Sequence, residues 1–374
     1  GQPSLAVGAE RQGVFIGGST SLFWSDMLGN RNLVTMAQVS GDIEDLAAVV
    51  GYTNLARRWD WGVLAQRLPF VQTAVAQNLA GPGGRLLVQQ QLVVRQIEYD
   101  LAGLLAYPFS RAQRVEFQAG VQRLAFDQEL DSLVVDRATG QVLVNRTVDL
   151  PRPDPLTFGF ASAALVYDNS FFGATSPILG RRYRLELGGQ AGSLALYTAL
   201  ADVREYVYLG RPFTLAARAL HVGRYGGDAD DERLFPLFVG YQSLVRGYNS
   251  GSFEPEECEA DTPGACPAFD RLLGSRLGVA NLELRFPPLG LLGLGGGYYG
   301  ALPLEMALFA DAGVAWTRTE TPTFLGGDRE IVTSAGIAWR FNLFGYAILE
   351  LDLVKPFDRP RKGWYLQFGF TPGF

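Results

Sequence analysis

Few residues of this chain have side chains suited to catalysis. The 374 residues include one histidine, His221, and two cysteines, Cys258 and Cys266. His221 has no evident nucleophile partner, and the chain lacks a GxSxG motif that would position a catalytic serine. The cysteines are eight positions apart in a loop rich in Pro, Gly and Glu, without a further cysteine or a histidine nearby. This spacing favours a local disulfide made in an oxidising compartment. We therefore expect no enzyme activity, no metal and no cofactor.

One arginine stands in a segment that has no strand or helix period. Arg246 lies in FVGYQSLVRGYNSGSF, residues 238–253, which is rich in glycine and serine. Such an arginine is either solvated or bound to carboxylates, since its planar guanidinium offers several donors at fixed angles. The choice between these alternatives depends on the elements that would bring acidic residues close to it.

The composition points to a protein whose apolar residues alternate with polar ones. Charged residues make up 19% of the chain and aromatic residues 12%, yet the mean hydropathy is only +0.07. Soluble domains commonly have about 25% charged residues. The net charge of −6 gives no reason to expect a nucleic-acid partner. The longest uncharged run, 286–304, is rich in Gly and Pro and therefore unsuited to a membrane helix.

The C-terminal hundred residues alternate with a period of two. Segments 303–316, 331–341, 346–355 and 363–374 each place apolar side chains on one face and small or polar ones on the other. Strands of about ten residues with this pattern are typical of transmembrane β-barrels. Backbone polar groups in lipid must all be paired, so the strands must close on themselves. A soluble β-sandwich or propeller also alternates, but no propeller repeat is found and a sandwich rarely needs so many such strands.

The rest of the chain adds twelve strands to these four, which makes sixteen in one domain, 1–374. They are predicted at 3–10, 15–27, 31–41, 44–55, 59–69, 96–109, 112–126, 157–168, 181–191, 193–207, 212–224 and 276–287. Residues 42–58 also fit an amphipathic helix, and 70–95 have no clear pattern. The long insertions 127–156 and 225–275 are predicted to project on the extracellular side, with short turns such as DLVKPFDRPRKGWY on the periplasmic side.

Four motifs resemble the C-terminal barrel of the BamA/TamA outer-membrane family, also called the bacterial surface antigen family. VRGY (245–248) resembles the signature at the tip of the sixth extracellular loop, and NLELRFP (281–287) resembles a motif of the next strand. FADAG (309–313) resembles the FxDxG motif of the strand after that, and the chain ends in Phe374, as outer-membrane strands commonly do. The resemblance covers essentially the whole chain. It implies an all-β, 16-stranded antiparallel transmembrane β-barrel with a long extracellular loop folded into the lumen.

The resemblance assigns a role to the isolated arginine. Alternation places Glu283 and Asp311 on the polar faces of neighbouring strands, so both carboxylates would point into the lumen. In the family the loop arginine pairs with these acids, which implies a loop lock formed by Arg246, Gly247 and Tyr248 with Glu283 and Asp311. Desolvation offsets much of the attraction in such a pair, so we expect its role to be positional.

The last strand is the second predicted site. Its apolar residues are Leu366, Phe368, Phe370 and Phe374, and Pro372 removes one hydrogen-bond donor near its end. Family members that insert other barrels are thought to work through a weak seam between the first and last strands. The resemblance therefore implies a seam between residues of about 4–10 and 364–371.

The resemblance implies a non-enzymatic protein of the bacterial outer membrane that inserts, assembles or translocates other proteins. Its partners would be outer-membrane lipid and unfolded outer-membrane or secreted client proteins. The sequence lacks the periplasmic POTRA modules that precede the barrel in BamA and TamA, and residues 1–33 look more like members with a propeller or enzyme domain before the barrel. The alternatives are a membrane anchor or display barrel for such a periplasmic domain, and a passive pore.

Overall fold

A computed structural model gives the structure of the chain. It describes residues 4–10, 13–40, 42–80, 85–210, 212–258, 266–343, 345, 347–359 and 361–372. Nearly all regular structure in these residues is β. Helices are limited to two single turns, α1 (Pro267–Asp270) and α2 (Pro288–Leu291), and three short 3-10 turns. No helix of the described part is both long and apolar enough to cross a membrane.

The strands follow one another along the chain with short turns between most of them. In chain order they are β1 (Ser4–Glu10), β2 (Gly13–Ser25), β3 (Arg31–Ser40), β4 (Asp42–Asn54), β5 (Asp60–Ala80), β6 (Leu86–Pro108), β7 (Gln113–Asp136), β8 (Val142–Asp149), β9 (Leu156–Asp168), β10 (Phe171–Phe172), β11 (Pro177–Gly192), β12 (Leu196–Gly210), β13 (Phe213–Tyr225), β14 (Leu237–Phe238), β15 (Leu273–Gly274), β16 (Arg276–Phe286), β17 (Leu304–Trp316), β18 (Val332–Leu343), β19 (Ala347–Pro356) and β20 (Tyr365–Pro372).

Among the described residues, eighteen of these strands belong to one antiparallel sheet, and β14 pairs with β15 separately. Strands adjacent in the chain pair with each other, as β2 does with β3 and β18 with β19. Two of the eighteen are the hairpin strand β8 and the two-residue β10. The other sixteen are the strands that the alternation predicts. Residues 42–58 hold β4 and not a helix, so the helical alternative is wrong.

The segment 70–95 has a structure that its sequence did not indicate. β5 and β6 are 21 and 23 residues long and pair from Asp60↔Ala106 to Ala80↔Leu87, with one bulge between Thr73 and Val75. β7 likewise extends to Asp136 and forms a hairpin with β8 inside the insertion 127–156. Strand ends that extend beyond a bilayer have no lipid-facing side, so they lose the apolar alternation that marks a spanning strand.

The chain divides into two compact units. The first comprises Gly1–Pro108, Glu116–Ser162 and Gly189–Leu194, and the second comprises Phe109–Val115, Ala163–Gly188 and Ala195–Phe374. In the second unit, the loop between β13 and β16 packs its own apolar side chains onto one face of β13 and of β16–β18. This core consists of Leu220, Phe238, Val239, Val245, Tyr248, Leu272, Leu277, Val279, Ala315 and Val332.

The turn between β19 and β20 contacts this loop. The hydroxyl of Tyr248 lies 3.2 Å from a carboxylate oxygen of Asp358, and Arg359 binds Glu257. The turn within DLVKPFDRPRKGWY therefore lies at the same end of the strands as loop 225–275. The prediction that it faces the opposite side is wrong, because a short turn does not by itself identify the periplasmic end.

Candidate functional site

The register of β16 and β17 brings two acidic residues onto one face. Asn281 pairs with Asp311, and Glu283 pairs with Phe309 one step further along the same face. Alternate residues of a strand share a face, so all four side chains point the same way. The loop between β13 and β16 covers this face and brings Arg246 against it.

Arg246 contacts both predicted carboxylates. Its Nε and Nη2 donate to the two oxygens of Asp311 at 2.7 and 2.8 Å, and its backbone N–H donates to Asp311 Oδ2 at 3.2 Å. Its Nη1 lies 2.8 Å from Glu283 Oε1. The exposed fractions of these side chains are 5% for Arg246, 0% for Asp311 and 8% for Glu283. This arrangement differs from a solvated loop arginine.

The FADAG motif contacts the loop through every second residue. The guanidinium carbon of Arg246 lies 3.5 Å from the ring centroid of Phe309, a cation–π arrangement. At Gly313, an added Cβ would lie 2.5 Å from a methyl group of Val245 and 2.8 Å from one of Val239. Sequence reasoning singled out Asp311 alone, although Phe309 and Gly313 share its face by their spacing.

Gly247 and Tyr248 complete the predicted lock. Gly247 has a φ of +93°, which favours glycine, and an added Cβ would lie 3.1 Å from a methyl group of Val354. Its N–H donates to Gln367 Oε1 on β20 at 2.9 Å. The Tyr248 ring is fully buried, and its hydroxyl donates to the carbonyl of Thr333 at 2.8 Å. Burial raises the pKa of this hydroxyl.

Comparison with known protein families shows which family this chain belongs to. The Omp85 superfamily domain matches residues 98–374. The chain belongs to the Omp85 superfamily.

Two solved structures have the fold of this Omp85 domain. BamA from Haemophilus ducreyi lacking POTRA domains 1–3 has a TM-score of 0.64 at 16% identity, over 99% of this chain and 69% of that one. CdiB from Acinetobacter baumannii has a TM-score of 0.53 at 13% identity, over 99% of this chain and 59% of that one. No protein with a curated description matches the sequence. The prediction of a bacterial outer-membrane β-barrel is confirmed.

Further charges of the Omp85 domain surround the lock. Arg340 on β18 donates to both oxygens of Glu283 at 2.8 and 2.9 Å and to Glu350 on β19 at 2.9 Å. Arg285 donates to Glu283 at 2.6 Å. Sequence reasoning missed the roles of Arg340 and Glu350, because alternation gives the face of each residue but not the register that aligns distant strands.

A second arginine holds the same loop from the turn between β19 and β20. Arg359 is fully buried, and its guanidinium donates to Glu257 at 2.7 and 2.8 Å and to the carbonyl of Gly247 at 2.8 Å. Hydrogen bonds from Arg359 lower the pKa of Glu257. Cys258, the next residue, forms a disulfide with Cys266 across a Cα–Cα distance of 4.1 Å. The predicted pair of cysteines therefore closes a small loop beside this contact.

The last strand has two different faces. Leu366 and Phe368 are 63% and 64% exposed, whereas Gln367 between them is buried against the loop. Pro372 is the last residue of β20 and pairs with Ala347 of β19. Phe374 lies outside the described residues, and so does the side chain of Phe370. The seam with the first strand stays a prediction.

Proposed function

We propose that this Omp85 domain assists the insertion or secretion of client proteins at the outer membrane. The observation that carries the proposal is the last strand, which the loop holds from its inner side. Gln367 of β20 fixes the strand to Gly247 of the loop, while Leu366 and Phe368 remain exposed. β20 pairs with β19 along one edge, and main-chain hydrogen bonds along a strand edge can add a client strand by β-addition.

The proposal includes an orientation and a role for the loop lock. We infer that the insertions 127–156 and 225–275 face the outside of the cell. The lock holds one loop conformation against β16–β20 and leaves a cavity of about 440 Å³ beside Arg246. A filled inner face supports a role in handling proteins over a passive pore, because a sixteen-stranded barrel without such a loop would hold an aqueous channel.

We also propose that the domain is not an enzyme. His221 is the one histidine of the sequence. One ring nitrogen contacts the carbonyl of Leu277 at 2.9 Å, and the other contacts the hydroxyl of Tyr225 at 2.6 Å. The ring also stacks on Trp316 with 5.6 Å between centroids. These contacts support a packing role, since a general base needs a nitrogen that can reach the proton of a substrate or nucleophile.

The test is the folding rate of a urea-unfolded small outer-membrane barrel protein in liposomes with and without this protein. We expect folding to accelerate severalfold. A photoreactive residue placed at Leu366 should also cross-link to the folding client. The matched control is the same residue at Leu187 of β11, which is 72% exposed but lies on an internal strand.

Two outcomes would contradict the proposal. Unchanged folding kinetics without client cross-links would favour the anchor or display alternative. Acceleration with equal cross-linking at Leu366 and Leu187 would overturn the assignment of the client site to β20.

A further inference from the structure

The first unit has a groove on the exposed face of β4–β7. We name it the arginine groove and define it by Ala48, Ala65, Arg67, Tyr99, Leu101 and Arg123. Ala48 pairs with Arg67 and Arg67 with Tyr99, which forms one row across three strands. Ala65 pairs with Leu101 in the adjacent row. Because alanine is small, Ala48 and Ala65 leave a depression of about 450 Å³ between larger neighbours.

The floor of the arginine groove is apolar, whereas its rim carries arginine and tyrosine side chains. Leu101 is 54% exposed and its neighbour Val121 is 55% exposed. Exposed apolar residues on the outer wall of an outer-membrane barrel face lipid chains. At the rim, Arg67 has its guanidinium 5.7 Å from the centroid of the Tyr99 ring and donates to the carbonyl of Leu46. Arg123 on β7 is exposed at the same rim.

The charge on this face is positive. Asp100 also lines the depression, but alternation turns its side chain to the other face of β6, where it accepts a hydrogen bond from Gln66 at 2.6 Å. Glu98 shares that other face and accepts from Gln122 at 2.8 Å. The two arginines thus present cationic groups next to an apolar floor. Arginine and tyrosine at such a boundary belong at the level of lipid headgroups.

We propose that the arginine groove binds a phosphorylated glycolipid of the outer leaflet, of the lipid A type. Arg67 and Arg123 hold a phosphate by charge-assisted contacts, in which Arg123 offers paired hydrogen bonds and Arg67 adds its positive charge while its Nη1 donates to the carbonyl of Leu46. An acyl chain lies over Ala48, Ala65 and Leu101. The rim lies toward the paired ends of β5 and β6 at Ala80 and Leu87. The choice of the outer leaflet rests on the orientation proposed above.

The experiment uses native mass spectrometry of the intact protein in detergent with lipid A, with phosphatidylglycerol and with phosphatidylcholine. We expect lipid A to bind most strongly and phosphatidylcholine least. The variant R67Q/R123Q should lose affinity for lipid A by roughly tenfold or more, because two charge-assisted contacts are removed. R123Q alone should lose part of it. The matched control is R58Q, which removes an arginine 4.8 Å from the Tyr107 ring at the other end of the β5–β6 pair.

Each outcome decides the proposal. Equal retention of lipid A by the wild type and R67Q/R123Q, with heat-modifiable gel mobility showing that both are folded, would overturn the site. Equal loss in R58Q would do the same, since a general effect of charge would then explain the result. Phosphatidylglycerol binding as strong as that of lipid A would overturn the assignment to an outer-leaflet glycolipid. Because the readout is lipid binding, failure of the client-folding assay leaves it unaffected.

Discussion

At the scale of single residues, the two carboxylates that bind Arg246 differ in the other partners they have. Glu283 also binds Arg285 and Arg340, so it retains cationic partners when Arg246 is removed. Asp311 is fully buried and would keep the neutral amide of Asn281, whose Nδ2 lies 2.8 Å away. Removing one partner of a buried pair leaves an uncompensated charge, which costs about 3–5 kcal/mol. The loss weakens the contact between the loop and the strands, and it leaves the hydrogen bonds between the strands in place.

We therefore expect Arg246→Ala to leave the barrel folded while it loosens the loop. Limited proteolysis should cut faster within residues 245–270, and gel mobility without heating should remain that of the folded barrel. The control is Arg233→Ala in the same loop. Arg233 forms a local ion pair with Asp231 at 2.8 Å and is one-third exposed, so its loss should cost about 0–1 kcal/mol. Identical digestion of the Arg246 variant and the wild type would refute the lock.

At the scale of elements, the loop between β13 and β16 is fastened at two levels. The lock fixes its tip against β16 and β17, and Arg359 fixes its following turns to the segment before β20. Hydrogen bonds from Arg359 hold the pKa of Glu257 below its ordinary value. A depressed carboxyl pKa stabilises the folded loop above the unfolded pKa of about 4.3, and this contribution is lost as the pH falls through the folded value.

The second fastening should therefore release in acid. Hydrogen exchange at 250–258 should quicken when the pH falls below about 4, after correction for the intrinsic pH dependence of exchange. In the Glu257→Gln variant, hydrogen exchange at 250–258 should already be faster at neutral pH, because the buried Arg359 has lost its charged partner. Lowering the pH should then change the exchange rate less than in the wild type. Glu254→Gln is the control, since Glu254 is 59% exposed in its pair with Lys362 and should contribute little. If the Glu257 variant showed the same increase in exchange at low pH as the wild type, the increase would come from another titrating group.

The strands were more predictable from sequence than the contacts between them. Alternation is a local property, so it located β16 and β17 and gave the shared face of Glu283 and Asp311. It could not reveal that Arg340 reaches Glu283, because that contact depends on the register of β16, β17 and β18 together. The contact between Arg359 and Glu257 joins two loops without any period, so no pattern marked it.

At the scale of the whole molecule, we expect the loop between β13 and β16 to limit the conductance of the domain. Val239, Val245 and Tyr248 are fully buried against the inner face, so the loop is packed there as part of a core. A barrel of sixteen strands is wide enough for an aqueous channel when nothing fills it. The described structure thus predicts low conductance for the wild type in planar bilayers and a severalfold increase when residues 240–270 are replaced by a short linker.

The control for this prediction is a deletion within the hairpin turn at 137–141, which lies in the first unit and outside the loop. It should leave the conductance at the wild-type value, since it removes exposed residues only. Arg246→Ala should give brief openings between the two levels, because the apolar contacts of the loop persist when the charge is lost. High and steady conductance of the wild type would contradict this prediction and favour the passive pore.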